Sequence, residues 1–244
     1  MEVRYKCKLA YLGNNYAGFQ SQANALAIQD VIEKALLIIF KKKIRIIAAS
    51  RTDQGVHALG QVFHFDGEEM DINKLKYSLN SLTPKDIHIK NIDIVSTDFH
   101  ARFSVKEKTY VYLINTGEYD VFYEGRAFQK RYKLDYQLMK EVANLYLGTH
   151  DFSSFNTTPY AIKENQVRTI YEFSIKKKGD RYLIKVRGDG FLKNMVRIMV
   201  GTMVEVARGK KDIEEVEMMF KQPSKEKRRY NIDANGLYLV RIDY

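Results

Sequence analysis

The sequence predicts an α+β fold made of two halves, each running in the order β-α-β-β-α-β, and three observations predict it. Apolar residues switch between a period of two, which suits strands, and a period near 3.6, which suits helices. The switching runs once through residues 1–104 and again through residues 105–244. Turn and stop residues fall where one element must give way to the next. This order is the ferredoxin-like unit, and the two sheets are expected to join into one broad antiparallel sheet with an active-site cleft between the halves.

In the first half, Val3 to Tyr11 reads as a strand, and Ile28, Val31, Ile32, Ala35, Leu36 and Ile39 line one face of a helix. Lys43 to Ala49 and Gln61 to Asp66 read as the next two strands; in the latter Phe63 and Phe65 share one side, Val62 and His64 the other. A helix over Ile72 to Leu82 follows, with Asp71 as its N-cap and Pro84 beyond its end, and Ile87 to Val95 closes the half. In the second half, Thr109 to Asn115 is a strand, and Leu134, Leu138, Val142 and Leu145 line a helix that stops near Gly148. Tyr171 to Lys177 and Tyr182 to Arg187 form a hairpin around Lys178-Gly179-Asp180. Leu192, Met195, Val196, Met199 and Met203 share a helical face, and Gly209 ends that helix. Asp212 to Lys221 adds a helix, and Gly236 to Tyr244 is the last strand.

Composition narrows the function. Hydrophobic residues at 45% with only three prolines argue for a folded chain and against disorder. The longest purely apolar run, Ala35 to Phe40, is too short to span a bilayer, and Met1 to Lys6 carries no signal-peptide pattern. A single cysteine, Cys7, excludes an internal disulfide and fits a reducing cytoplasm. His57, His64, His88, His100 and His150 show no ligand spacing, so no metal is expected. No phosphate-cradling glycine loop followed by Lys-Ser/Thr occurs, which argues against nucleotide hydrolysis. A net charge of +10 suits either a polyanionic partner or a Lys-rich solvated surface, and 17 Tyr with 13 Phe tip the balance towards RNA. The basic runs Lys41-Lys42-Lys43 and Lys225 to Arg229 read as solvated ends that are also able to meet a nucleic-acid backbone.

The most informative stretch is Ser50-Arg51-Thr52-Asp53-Gln54-Gly55-Val56-His57-Ala58, between two strands. Thr, Asp and Gly are ordinary turn residues, and a capped loop would explain them. The cation Arg51 and the nearby His57 make the same loop a candidate active site. Arg-Thr-Asp-x-Gly-Val-His-Ala is similar to the signature of the tRNA pseudouridine synthase A family, and other segments resemble that family in order along the chain. These are Tyr11 to Gln20, Phe99-His100-Ala101-Arg102, Lys108-Thr109-Tyr110-Val111-Tyr112, Gly148 to Phe155, Gly190 to Arg197 and Gly236 to Leu239. Departures from the pattern lie at Leu12, Ala27, Ser50 and the run Asp233-Ala234-Asn235-Gly236, and none of them removes a catalytic group.

The resemblance implies an isomerase that breaks the N1–C1′ bond of a uridine, turns the uracil and rejoins it through C5, without a cofactor. It implies a tRNA partner, a target on the 3′ side of the anticodon stem-loop, and a homodimer. It makes Asp53 the catalytic residue, acting as nucleophile at the sugar or as base at the 2′ proton. Arg197 is implied as the cation that keeps Asp53 ionised, on a polar helix face shared with Lys193 and set opposite the methionines. Arg51, His57 and Lys193 become candidate RNA contacts. Tyr110 becomes the base-stacking tyrosine, although strand periodicity puts Tyr112 on the same side. Two rivals remain. A non-catalytic tandem RNA-binding module has no use for the Arg-Thr-Asp loop, and a nucleoside-cleaving hydrolase gains little from the positive charge.

Overall fold

The computed structural model describes residues 1–158, 165–224 and 230–244; Lys225 to Arg229 lie outside the described residues. The chain forms two compact units, Met1–Lys106 with Tyr238–Tyr244, and Glu107–Leu237. Both are α+β. Among the described residues no helix is long and apolar enough to cross a membrane.

The first unit comprises β1 (Glu2–Tyr11), α1 (Ile28–Phe40), β2 (Ile47–Ala48), β3 (His57–Glu68), α2 (Ile72–Leu82) and β4 (Ile87–Val95). β1 is central and antiparallel to both neighbours, with Cys7 opposite Phe63 of β3 and Ile92 of β4. Tyr5, Cys7 and Leu9 alternate inward along β1, and the helices supply Ile32, Leu36, Leu75 and Leu79, all fully buried. Each such aliphatic side chain contributes about 1.5–3 kcal/mol through apolar burial. α2 begins where Asp71 accepts from the Lys74 N–H at 2.8 Å, as its sequence position predicts.

The expected strand over Lys43 to Ala49 is reduced to Ile47–Ala48, paired with His64 and Phe63. Ile44 and Ile46 are buried, so the alternation is real. The Ile46 N–H, however, donates to the Glu33 carboxylate of α1 at 3.0 Å instead of to a neighbouring strand. β3 is longer than expected because the apolar run begins at Val56, within the Arg-Thr-Asp loop itself.

His64 of β3 is 2% exposed, and its Nδ1 accepts from the Ala101 N–H at 3.1 Å. Burial, then Arg4 and His100, lower its pKa from the ordinary 6.5 to about 4. The unfolded chain therefore takes up a proton between those values that the native chain refuses, so this stability is complete above pH 6.5 and is lost as pH falls towards 4. The loss is expected to be on the order of 2–3 kcal/mol. Urea midpoints at pH 7 and pH 4.5 check it: His64→Asn, which keeps an acceptor but no titration, should lose clearly less than the parent, and equal losses would refute this role.

The second unit comprises β5 (Glu107–Asn115), β6 (Phe128–Gln129), α3 (Tyr136–Leu145), β7 (Gly148–Asp151), β8 (Val167–Lys178), β9 (Arg181–Gly188), α4 (Met195–Ala207) and α5 (Ile213–Lys221). Its strand order is β6-β5-β9-β8-β7, antiparallel except for the β5–β6 pair. The β8–β9 hairpin turns where predicted, with Gly179 at φ 57°. α3 starts later than expected, at the Asp135 cap, and buries Met139, Val142 and Ala143. Its buried face is thus offset from the Leu138–Leu145 stripe, because Leu134 precedes the helix and packs from the connection. α4 is buried almost all round, with Arg197 and Glu205 its half-buried positions, so it has no broad polar face. Lys193 lies in the turn before α4, not on the helix, and is exposed.

The last strand, β10 (Leu237–Asp243), was expected with residues 105–244, whereas Tyr238–Tyr244 belongs to the first unit. It pairs in parallel with β3, with Tyr238 opposite His57 and Leu239 opposite Ala58. Gly60 makes this approach possible, since a Cβ there would lie 2.3 Å from the Val240 carbonyl oxygen.

Candidate active site

The Arg-Thr-Asp loop leads from β2 into β3. Its sharpest feature is a turn in which the Val56 N–H donates to the Asp53 carbonyl at 3.2 Å. Gly55, at φ 80°, occupies the left-handed corner that most side chains avoid. The loop is pinned from below by the segment that follows β1. The Tyr11 and Thr52 hydroxyls lie 2.6 Å apart, and the Phe19 N–H donates to the Thr52 carbonyl at 3.1 Å. Gln61 Nε2 donates to the Ser50 carbonyl at 2.7 Å. Two glycines let the strands close on the loop: a Cβ at Gly13 would lie 2.1 Å from the Val56 oxygen, and one at Gly18 would lie 2.6 Å from the Thr52 oxygen. Asp53 is therefore a half-buried carboxylate on a backbone held from several sides, which is how a reactive group is kept in one geometry.

Arg51 is exposed and lines a surface cavity together with Phe19 of that buttress. His57 is fully buried, accepts from the Gly13 N–H at Nδ1 (3.0 Å) and stacks on Tyr238, with ring centroids 4.7 Å apart. That placement makes His57 a strut of the loop with little surface to offer an RNA. The sequence named Asp53 and its neighbours but not the props Tyr11, Gly13, Gly18 and Gln61. The Gly13 and Gly18 positions in the resembling N-terminal segment were the available signal.

The second unit holds the other named residues. Arg197 Nε donates to the Ile232 carbonyl at 2.8 Å and its Nη1 to Asn194 Oδ1 at 3.0 Å. Asn194 is left-handed, at φ 60°, and its Nδ2 donates to the Thr157 hydroxyl at 2.7 Å. Two of the three Arg197 guanidinium nitrogens are thus fixed on protein acceptors, which sets the orientation of the group. The contact of Asn194 with Arg197 is one that the helical pattern did not reveal.

Periodicity left Tyr110 and Tyr112 level; their surroundings separate them. Tyr112 is fully buried and donates to the Asp233 carbonyl at 2.6 Å, and burial raises its pKa well above the ordinary value. Tyr110 is 6% exposed and meets Phe191 edge-on, with centroids 5.1 Å apart. Tyr112→Phe should keep activity and lose about 1 kcal/mol of stability with its buried hydrogen bond. If Tyr110 is the stacking residue that the resemblance implies, Tyr110→Ala should lose roughly 1–3 kcal/mol of stacking, whereas Tyr110→Phe retains it. Single-turnover rates and urea midpoints check both; an inactive Tyr112→Phe beside a fully active Tyr110→Ala would reverse the assignment.

Known proteins resemble this chain over nearly its whole length. A family model described as tRNA pseudouridine synthase matches residues 9–104 and 142–244, which include the Asp53 loop and α4. The class this defines is an isomerase. The tRNA pseudouridine synthase A of Oceanobacillus iheyensis is 40% identical over 244 residues, covering 99% of this chain and 96% of its own. Those of Bacillus licheniformis and Bacillus subtilis are 40% and 39% identical, each covering 99% of both chains. The chain belongs to the tRNA pseudouridine synthase A family.

Proposed function

We propose that the protein converts uridine to pseudouridine in tRNA, on the 3′ side of the anticodon stem-loop, with Asp53 as the catalytic carboxylate. The observation that carries the reading is the braced turn that presents Asp53, within a chain matched over its length by the A-type synthases. Arg197 is proposed as the second catalytic residue, its guanidinium oriented by the Ile232 carbonyl and by Asn194. Tyr110 provides the stacking face for the uracil, and Arg51 and the exposed Lys193 hold the RNA while the base is extruded. His57 acts through the loop it supports. No cofactor enters, because the reaction only moves a glycosidic bond from N1 to C5 and exchanges the C5 proton for one on N1. A cytoplasmic site of action is part of this proposal, and a chain with a single cysteine suits it.

Incubation with uridine, then with a tRNA transcript, tests the reading: pseudouridine should appear in the transcript alone. Mapping the product to another loop would move the target site, and release of uracil from free uridine would favour the nucleoside-cleaving rival. Affinity for tRNA should fall steeply as salt rises, because lysines and arginines displace counterions from phosphates; salt-insensitive binding would count against it. The active form is proposed to be a homodimer, which light scattering would refute by a monomer mass at every concentration.

A further inference from the structure

In the first unit a surface cavity of about 190 Å³ opens beside Arg51. Arg45, Arg51 and Arg102 line it, together with His100 and Phe103, and no carboxylate does. Among the described residues none of the three guanidiniums forms an ion pair or a side-chain hydrogen bond, although Arg102 lies over the Phe103 ring at 5.6 Å. Three unneutralised guanidiniums around one cavity repel one another unless an anion sits among them. Phe103 is 75% exposed, which is costly for a phenyl ring unless something covers it. One of its faces is stacked on His100, with centroids 4.3 Å apart and planes at 28°.

The segment that carries Arg102 and Phe103 is held in place. Arg4, paired with Asp66, donates to the Thr97 and Phe99 carbonyls. The Ala101 N–H donates to His64, and the Ala101 carbonyl accepts from the Tyr244 hydroxyl at 3.0 Å. The Arg102 and Phe103 N–H groups both donate to His100 Nδ1 at 3.2 Å. An exposed aromatic on so constrained a loop is displayed in a fixed position.

We propose that this cavity extends the RNA contact of Arg51, with Arg45, Arg51 and Arg102 taking a phosphodiester and Phe103 stacking on the unpaired base attached to it. Arginine forks match phosphate oxygens, and an aromatic face accepts any base. Arg51 is two residues from Asp53, at most about 7 Å along the chain, so the phosphate belongs to the target nucleotide or its immediate neighbour. The site rests on the proposed function and adds to it a grip on the single-stranded flank of the target.

The test measures dissociation constants of labelled tRNA transcript for the parent and for variants, across a salt series. Phe103→Ala should weaken binding about tenfold or more, and Phe103→Tyr should restore it. The double variant Arg45→Ala/Arg102→Ala should reduce the slope of log affinity against log salt by about 1–2. A short single-stranded oligoribonucleotide should compete in the parent, and inorganic phosphate at the same concentration should not. If the parent binds tRNA while every variant matches it in affinity and slope, the site is wrong and the function stands. If the parent neither binds nor modifies tRNA, the functional reading fails first. Because Phe103 is mostly exposed, Phe103→Ala should melt with the parent; the arginine pair reads the same site without touching that ring.

Discussion

Gly18→Ala is expected to slow pseudouridine formation about 100-fold or more, the cost of moving a reacting group by about 1 Å, while affinity for tRNA stays within about a few-fold. Gly18 has φ 101°, where an L side chain is strained. A new Cβ would also lie 2.6 Å from the Thr52 oxygen and 3.3 Å from the Asp53 carbonyl carbon. Both are backbone atoms, so the clash is relieved by shifting the loop and not by turning a side chain. Gly179→Ala separates strain from displacement. Gly179 is also left-handed, at φ 57°, but a Cβ there meets nothing within 4 Å. It should lose about 1 kcal/mol of stability and keep its rate. Single-turnover rates with saturating transcript measure both; a Gly18→Ala enzyme with the parent's rate would mean that the loop tolerates movement and that its bracing is not catalytic.

Much of the fold was legible because burial enforces period. The order over Glu2–Tyr11, Ile72–Leu82 and Ile87–Val95 follows from apolar spacing and from caps such as Asp71. The errors arose where a partner distant in sequence decided the outcome. Lys43 to Ala49 has strand alternation, but Glu33, thirteen residues away from Ile46, takes its N–H. β10 reads as the close of the second half, yet Gly60 and β3 draw Tyr238–Tyr244 into the first unit. Of the expected stripe, Leu134 and Val142 are buried and Leu138 and Leu145 only partly so; Met139 and Ala143 take inward positions because the Asp135 cap sets where α3 begins.

The candidate site was legible as chemistry before it was legible as mechanics. Arg51, Thr52, Asp53 and Gly55 stand out by type and by resemblance, and the family matches support that resemblance. The bracing does not stand out, because Tyr11, Gly13 and Gly18 look like strand-end and turn residues until their contacts with Thr52 and Val56 are known. His57 misleads in the other direction: a histidine beside an aspartate suggests a surface contact, whereas its ring is consumed by Gly13 and Tyr238. Spacing put Arg197 on a polar helix face shared with Lys193, whereas α4 is buried almost throughout and Lys193 precedes it.

Asp53→Asn carries the largest expected effect. Asparagine keeps the shape of aspartate and its tolerance for turns, and the Asp53 main-chain bond to Val56 does not involve the side chain. Folding and tRNA binding should therefore survive, and affinity should be equal or slightly better, since a negative charge near phosphates is removed. The amide can neither attack the sugar as an anion nor take up a proton, so neither route to bond cleavage remains. The chemical step should slow by about 10⁴-fold or more, equivalent to about 5.5 kcal/mol of barrier. If Asp53 were only a turn residue, asparagine would cost at most a few-fold. The deciding measurement is the amount of pseudouridine in a tRNA transcript after single-turnover incubation with saturating enzyme. The parent should convert its target uridine fully and Asp53→Asn should leave it as uridine; near-normal conversion by Asp53→Asn, with binding intact, would contradict the assignment of Asp53 as the catalytic carboxylate.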